Sequence, residues 1–232
     1  MEPSPTQKKK PKLLLFDVYE TLLDMEMLEK KTNAILNSKR GYLYWFELFM
    51  QYCFVDNSLD EHHSFASIAK ATLNMAGRNL GTHITDNQAD EIVELLNHLP
   101  LNEGITEALS HLYDQDFRIA ALTNASQQII QNRMENTGLI SYFEEVLSAE
   151  QAKKYKPAKE VYLWAAEKLS LTPSEVLFVT SHSWDIAGAA NAGMQTVFVN
   201  QGKETFYPLF KEPDFRVKNV EQLALQMKQA YP

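Results

Sequence analysis

Two regimes of hydrophobic patterning divide the chain. An unbroken apolar run, Leu13-Leu14-Leu15-Phe16, ends abruptly in Asp17, and a hydroxyl follows four residues later at Thr21. A run of this length bounded by polar residues predicts a buried strand of a parallel sheet over 12–17. From Met25 to about Leu99 the period becomes helical. Tyr42, Trp45, Phe46, Phe49, Met50, Cys53 and Phe54 recur at spacings of three and four and form one apolar face. That stripe is expected to pack against the other helices of its segment, with one edge available to line a pocket. Further helices are predicted over 65–77 and 86–96, the second opened by Thr85 or Asp86 with acidic residues behind it. Strand and helix then alternate. Helices are predicted over 106–114, 127–137 (ended by Gly138), 159–169, 186–192 and 220–230, and strands over 117–122, 143–147, 176–179 and 196–199. This alternation predicts an α/β fold, a doubly wound parallel sheet with helices on both faces. The core is assigned to residues 1–23 and 100–232, and an inserted all-helical cap to 24–99. A second layer over the strand tips is a natural lid for a buried site.

Composition narrows the function without defining it. With 232 residues, 45% of them hydrophobic and 22% charged, the chain can build one large domain or a core carrying an insertion. A net charge of −8 argues against nucleic acid or an anionic membrane surface as the main partner. Cys53 is the only cysteine, so neither an intramolecular disulfide nor a thiolate metal cluster can form; inside an aromatic stretch it reads as a small core residue. The first twelve residues hold Lys8-Lys9-Lys10 and three prolines with no apolar stretch behind them, the signature of a disordered leader rather than a signal peptide. No apolar run approaches the roughly 18 residues a membrane span needs, and a cytoplasmic protein is expected. His62 and His63 lack the spacing and carboxylate partners of a metal site and are expected at the surface.

Candidate chemistry gathers where strands end. Four loops occupy the same position in successive strand–helix units and converge on one sheet edge. They carry Asp17 through Thr21, then Thr123-Asn124, then Lys156, then Thr180-Ser181-His182-Ser183-Trp184-Asp185. In this set the chain resembles the haloacid dehalogenase superfamily across the whole core and the cap position. That superfamily has a strand ending in Asp-x-x-x-Thr, then a Ser or Thr, then a Lys, then an acidic loop, matched by Asp17/Thr21, Thr123, Lys156 and Asp185.

Most members of that superfamily are magnesium-dependent phosphatases, with a second Asp two residues after the nucleophile as general acid and Gly-Asp-x-x-x-Asp in the fourth motif. Here the first of those positions is Tyr19, and Thr180-Ser181 stands at Gly-Asp. Both changes remove a carboxylate, and Mg²⁺ favours such hard oxygen ligands. The same departures characterise the L-2-haloacid dehalogenase branch. The chain is similar to it in Phe16-Asp17-Val18-Tyr19, in Lys156-Pro157 with Tyr162 six residues after the Lys, and in Phe178-Val179-Thr180-Ser181-His182-Ser183-Trp184-Asp185 against Phe-Val-Ser-Ser-Asn-x-Trp-Asp.

This resemblance implies a hydrolase that needs no metal and no cofactor, acting on a small 2-haloacid and releasing a halide ion, and a homodimer. Asp17 would attack C2 and form an ester. A halide needs no protonation on leaving, so Tyr19 can stand where a general acid would. Lys156 would keep Asp17 ionised and balance Asp185. Thr123 and the backbone at Val18 would bind the substrate carboxylate, with Tyr19, Thr21, Tyr162 and Thr180 completing the pocket. Asn124 and Trp184 would cradle the halide beside a cap cation that is Arg in the family; Arg40 is the candidate. Glu20 stands where the family usually has Gly, and His182 where it has Asn. These two are expected to form a dyad in which His182 takes a proton from the hydrolytic water and Glu20 orients it. A phosphatase acting on a small phosphate ester is the alternative.

Overall fold

The computed structural model describes residues 10–200, 202 and 205–231. The leader expected over residues 1–12 therefore lies mostly outside the described residues. The elements in chain order are β1 (Leu13–Phe16), α1 (Glu26–Ile35), α2 (Gly41–Leu59), α3 (Phe65–Asn79), α4 (Asp86–Leu95), α5 (Ile105–Tyr113), β2 (Arg118–Thr123), α6 (Gln127–Asn136), β3 (Glu145–Ser148), α7 (Lys159–Lys168), β4 (Val176–Thr180), α8 (Ser183–Asn191), β5 (Gln195–Val199), β6 (Phe215–Val217) and α9 (Val220–Ala230). All six strands are parallel, in the order β3-β2-β1-β4-β5-β6. The chain reverses its direction of winding at β1, which pairs with β2 on one side and β4 on the other. Ligand crevices of open α/β sheets form at such a switch point, beyond the carboxyl ends of the strands.

Alternation along the strands divides the core into two layers. Leu14 and Phe16 face one cluster with Ile105, Leu109 and Leu112 of α5, Ile130 and Met134 of α6, and Leu223 and Met227 of α9. Leu13 and Leu15 face the other, with Val161, Tyr162 and Ala165 of α7 and Ala189 of α8. Every residue of β1 is fully buried, which is why the strand carries no polar position until Asp17.

Helices α1–α4 lie between β1 and the rest of the sheet in sequence, and their apolar faces join the α5–α6–α9 side of the core as one continuous cluster. Thr85 caps α4 in a reciprocal box with Gln88. The stripe on α2 turns out to face two ways. Tyr42, Trp45, Phe49, Met50 and Cys53 are buried, and all but Cys53, together with the partly buried Phe46, line a cavity over the strand tips. His62 and His63 are exposed. No helix of the described residues is long and apolar enough to cross a membrane.

A strand absent from the pattern-based reading and a displaced helix start are the main differences from it, most other bounds moving by one or two residues. β6, Phe215-Arg216-Val217, is an edge strand of three residues, too short to show a period. Helix α8 begins at Ser183 rather than Ile186, so Trp184 and Asp185 sit in its first turn and His182 immediately precedes it.

Candidate active site

Register sets the floor of the site. Phe16 pairs with Ala121 and with Val179, so Asp17 emerges level with the ends of β2 and β4, and its N–H donates to the Val179 carbonyl at 2.9 Å. Lys156 Nζ donates to Asp17 Oδ1 and to Asp185 Oδ2, each at 2.7 Å, and to the Leu122 carbonyl at 3.2 Å. Asp17, Lys156 and Asp185 are all buried, Asp185 completely. Burial alone would lower the Lys156 ammonium, but the two carboxylates outweigh it and its pKa is raised. Burial pushes the Asp185 carboxyl up, with Lys156 opposing. One ammonium between two carboxylates is the arrangement that makes such a cluster tolerable in a low-dielectric interior.

Further groups tie these charges down. Thr21 donates to Asp17 Oδ2 at 2.9 Å. The Thr180 hydroxyl lies 3.4 Å from the same oxygen and 3.3 Å from Asp185 Oδ2, and can donate to one at a time. Tyr162 donates a short hydrogen bond to Asp185 Oδ1, and burial drives its phenol well above the ordinary tyrosine range. Its ring lies against α8 because Gly188 is there: a Cβ at that position would come within 2.6 Å of the ring and of its hydroxyl.

Above this floor lies a cavity of about 50 Å³. Its walls are Tyr42, Trp45, Phe46, Phe49 and Met50 of α2 with Phe65, Tyr19 and Trp184, and its polar surface is Asp17, Thr123, Asn124, Lys156 and His182. A water needs roughly 10–15 Å³ measured this way, so the space suits a few heavy atoms beyond the carboxylate. Tyr19 stacks on Phe65 at 6.4 Å, and its buried hydroxyl has no hydrogen-bond partner among the described residues. Burial raises the Tyr19 phenol, and Arg133 of α6 pulls the other way.

The imidazole of His182 stacks with two rings, Trp184 at 5.0 Å and Phe46 at 6.0 Å, each within 30° of parallel to it. Its two nitrogens have different neighbours: Nε2 is 3.9 Å from Asp17 Oδ2, and Nδ1 is 3.7 Å from Glu20 Oε2. Glu20 is in the left-handed backbone region, φ 64°. A residue with a Cβ pays about 1–2 kcal/mol there, which a glycine would avoid. The turn is held by Asn102 Nδ2 and Ser181 Oγ, both donating to the Glu20 carbonyl.

Of the residues singled out in the sequence, Asp17, Tyr19, Thr123, Asn124, Lys156, His182 and Trp184 line the cavity. Thr21, Tyr162, Thr180 and Asp185 lie just beneath it, bonded to its charges. Val18 is buried, with its carbonyl accepting from the N–H groups of Leu22 and Leu23. Asn124 is engaged differently from expectation. Its Oδ1 accepts from the Lys156 N–H at 2.8 Å and its Nδ2 donates to the Lys156 carbonyl at 3.4 Å, so the amide braces the lysine backbone. Arg40 is exposed at the start of α2 and does not line the cavity; among the described residues, Lys156 is the only lysine or arginine that does.

Sequence reasoning missed the clamp that joins α2 to the Lys156 loop. Asn57 donates to the Tyr155 carbonyl at 2.7 Å and accepts from its N–H at 2.8 Å, while Tyr155 donates to the His63 carbonyl at 2.6 Å. An asparagine near a helix end carries no period or motif, so nothing in the sequence marks it.

The fold agrees with an independent comparison of the chain. A model of haloacid dehalogenase-like hydrolases matches residues 11–193, and the chain belongs to that family. Among relatives, it is 27% identical over 214 residues to (S)-2-haloacid dehalogenase 2 of Pseudomonas sp. (strain CBS-3), covering 90% of this chain and 93% of that one. It is 26% identical over 213 residues to haloacetate dehalogenase H-2 of Moraxella sp. (strain B), covering 90% and 94%. The L-2-haloacid dehalogenase structure from Xanthobacter autotrophicus superimposes with a TM-score of 0.83 at 24% identity, covering 94% of this chain and 98% of that one, a match of fold.

Proposed function

We propose that the protein is a metal-independent (S)-2-haloacid dehalogenase that converts short L-2-haloacids, such as chloro- or bromoacids, to D-2-hydroxyacids. The observation that carries this reading is the floor of the cavity. A buried carboxylate is held by Lys156 at 2.7 Å beneath a wall rich in aromatic rings, and the position of a phosphatase's general acid holds a phenol, Tyr19, raised above its ordinary range by burial. Such a site favours a leaving group that departs without a proton. The relatives' activities point the same way, and the small volume favours short acids.

In the first step an Asp17 oxygen attacks C2 from the side opposite the halogen. The carbon–halogen bond breaks with its electron pair on the halide, and an ester joins Asp17 to an inverted C2. In the second, water adds to the Asp17 carboxyl carbon as His182 takes its proton. The bond from that carbon to the ester oxygen breaks, the hydroxyacid oxygen is protonated, and Asp17 returns as a carboxylate bearing one oxygen from water. The net change is haloacid plus water to hydroxyacid, halide and a proton. The position of His182 Nε2 beside Asp17 Oδ2 supports a role at the ester carbon rather than at the halide on the far side of C2. Trp184 and the aromatic wall would face that halide. Family resemblance extends the proposal to a cytoplasmic homodimer.

The test is halide release over a panel of 2-haloacids in EDTA, for the native enzyme and for His182→Ala. Native turnover in EDTA and a His182→Ala burst of one halide per site, with the substrate left on Asp17, are expected. Phosphate-ester hydrolysis that EDTA abolishes, with no halide released from any acid, would overturn the reading.

A further inference from the structure

The dyad contains an unassigned third member. Glu20 lies on the strand-tip loop of the core, and its carboxylate has two oxygens with different neighbours. Oε2 faces His182 Nδ1 at 3.7 Å, while Oε1 accepts a hydrogen bond from the hydroxyl of Tyr42 at 3.2 Å. Tyr42 belongs to the first turn of α2, which lies over the strand tips. The bond between the two residues therefore runs from the helical insert to the core.

The surroundings of Tyr42 fix where its hydroxyl can point. The ring is buried, packed on Trp45 at 6.1 Å and on Phe46 at 5.9 Å, and its N–H is held by Asn33 Oδ1 at 2.8 Å. Phe46 in turn covers one face of His182. Neighbouring turns of one helix face thus touch both partners, the imidazole through a ring and the carboxylate through a hydroxyl. The Glu20 backbone is fixed by Asn102 and Ser181, but its side chain has free torsions, and a carboxylate can orient an imidazole only if it is itself held.

We propose that Tyr42 is a positioning residue for ester hydrolysis: its hydroxyl fixes one Glu20 oxygen so that the other faces His182, and the water-activating dyad is complete only while α2 covers the strand tips. This rests on the dyad reading above. It makes the insert part of the second chemical step as well as the wall of the pocket. It also predicts a split between steps, since attack by Asp17 on C2 does not involve Glu20.

Tyr42→Phe removes only the hydroxyl and keeps the ring. The experiment compares native enzyme, Tyr42→Phe, His182→Ala and the double variant by rapid-mix halide release and by mass spectrometry of the peptide containing Asp17. For Tyr42→Phe the expected result is an unchanged first-turnover burst, steady-state release lowered about tenfold as a part of the 10²–10⁴ a general base supplies, KM lowered in parallel, and alkylated Asp17 accumulating. The hydroxyl's loss should add nothing in the His182→Ala background. Native-like turnover of Tyr42→Phe while His182→Ala traps the ester would overturn the proposal and leave the dyad standing. Burst and steady state slowed equally would also overturn it, showing a packing role. Normal turnover of His182→Ala would refute the dyad itself and this inference with it.

Discussion

Asp17→Asn should abolish halide release, by at least about 10⁴-fold, the scale on which loss of a covalent nucleophile is felt, without unfolding the protein. The amide has the carboxylate's shape, and its oxygen can still accept from Lys156, which keeps its ion pair with Asp185 at 2.7 Å. Removing one of two buried carboxylates also relieves the repulsion that helps raise Asp185. The melting temperature should therefore fall little or not at all while turnover disappears. Halide release measured beside a thermal melt checks both halves.

Lys156→Met should have the largest effect on stability. The side chain is 1% exposed, and its loss leaves Asp17 and Asp185 buried and facing each other without a cation. Breaking a buried ion pair from one side costs about 3–5 kcal/mol, a large part of the 5–15 kcal/mol that holds an ordinary domain folded. The pH dependence carries a definite sign. In the native protein the Lys156 pKa is raised, so its contribution is fully present below the ordinary lysine value and is lost only as pH rises through the higher folded one; neutral conditions keep it. In Lys156→Met the Asp185 carboxyl has a folded pKa above its unfolded one, because burial already raises it and the opposing charge is gone. The folded state then binds more protons than the unfolded state, and stability falls as pH rises. Urea melts should show the variant less unstable at pH 5 than at pH 8.

Much of this architecture is legible in the sequence because buried parallel strands leave unbroken apolar runs. Leu13–Phe16 and Val176–Val179 stand out for that reason, and the polar residue ending each run marks the sheet edge where the site forms. Helix α9 is recovered with both its ends, since its period is clean and Asn219 caps it. The start of α8 is not, because Ser183-Trp184-Asp185 reads as a polar loop and takes helical form only where Lys156 and Tyr162 hold the Asp185 side chain. Two further features turn on tertiary placement. The aromatic stripe of α2 is legible as a buried face, but its partner is the cavity as much as the neighbouring helices. Arg40 shows the opposite failure: a cation in the expected segment, exposed because it precedes the first buried turn of α2.

Covalent use and regeneration of the carboxylate at the end of β1 is the step on which turnover depends. It is tested most directly by a single turnover in H₂¹⁸O with enzyme in excess over 2-chloropropionate, followed by mass spectrometry of product and protein. The mechanism predicts unlabelled hydroxyacid in that first turnover and one ¹⁸O atom in the peptide containing Asp17. Label in the hydroxyacid with none in Asp17 would mean that water attacks C2 directly, and would contradict it.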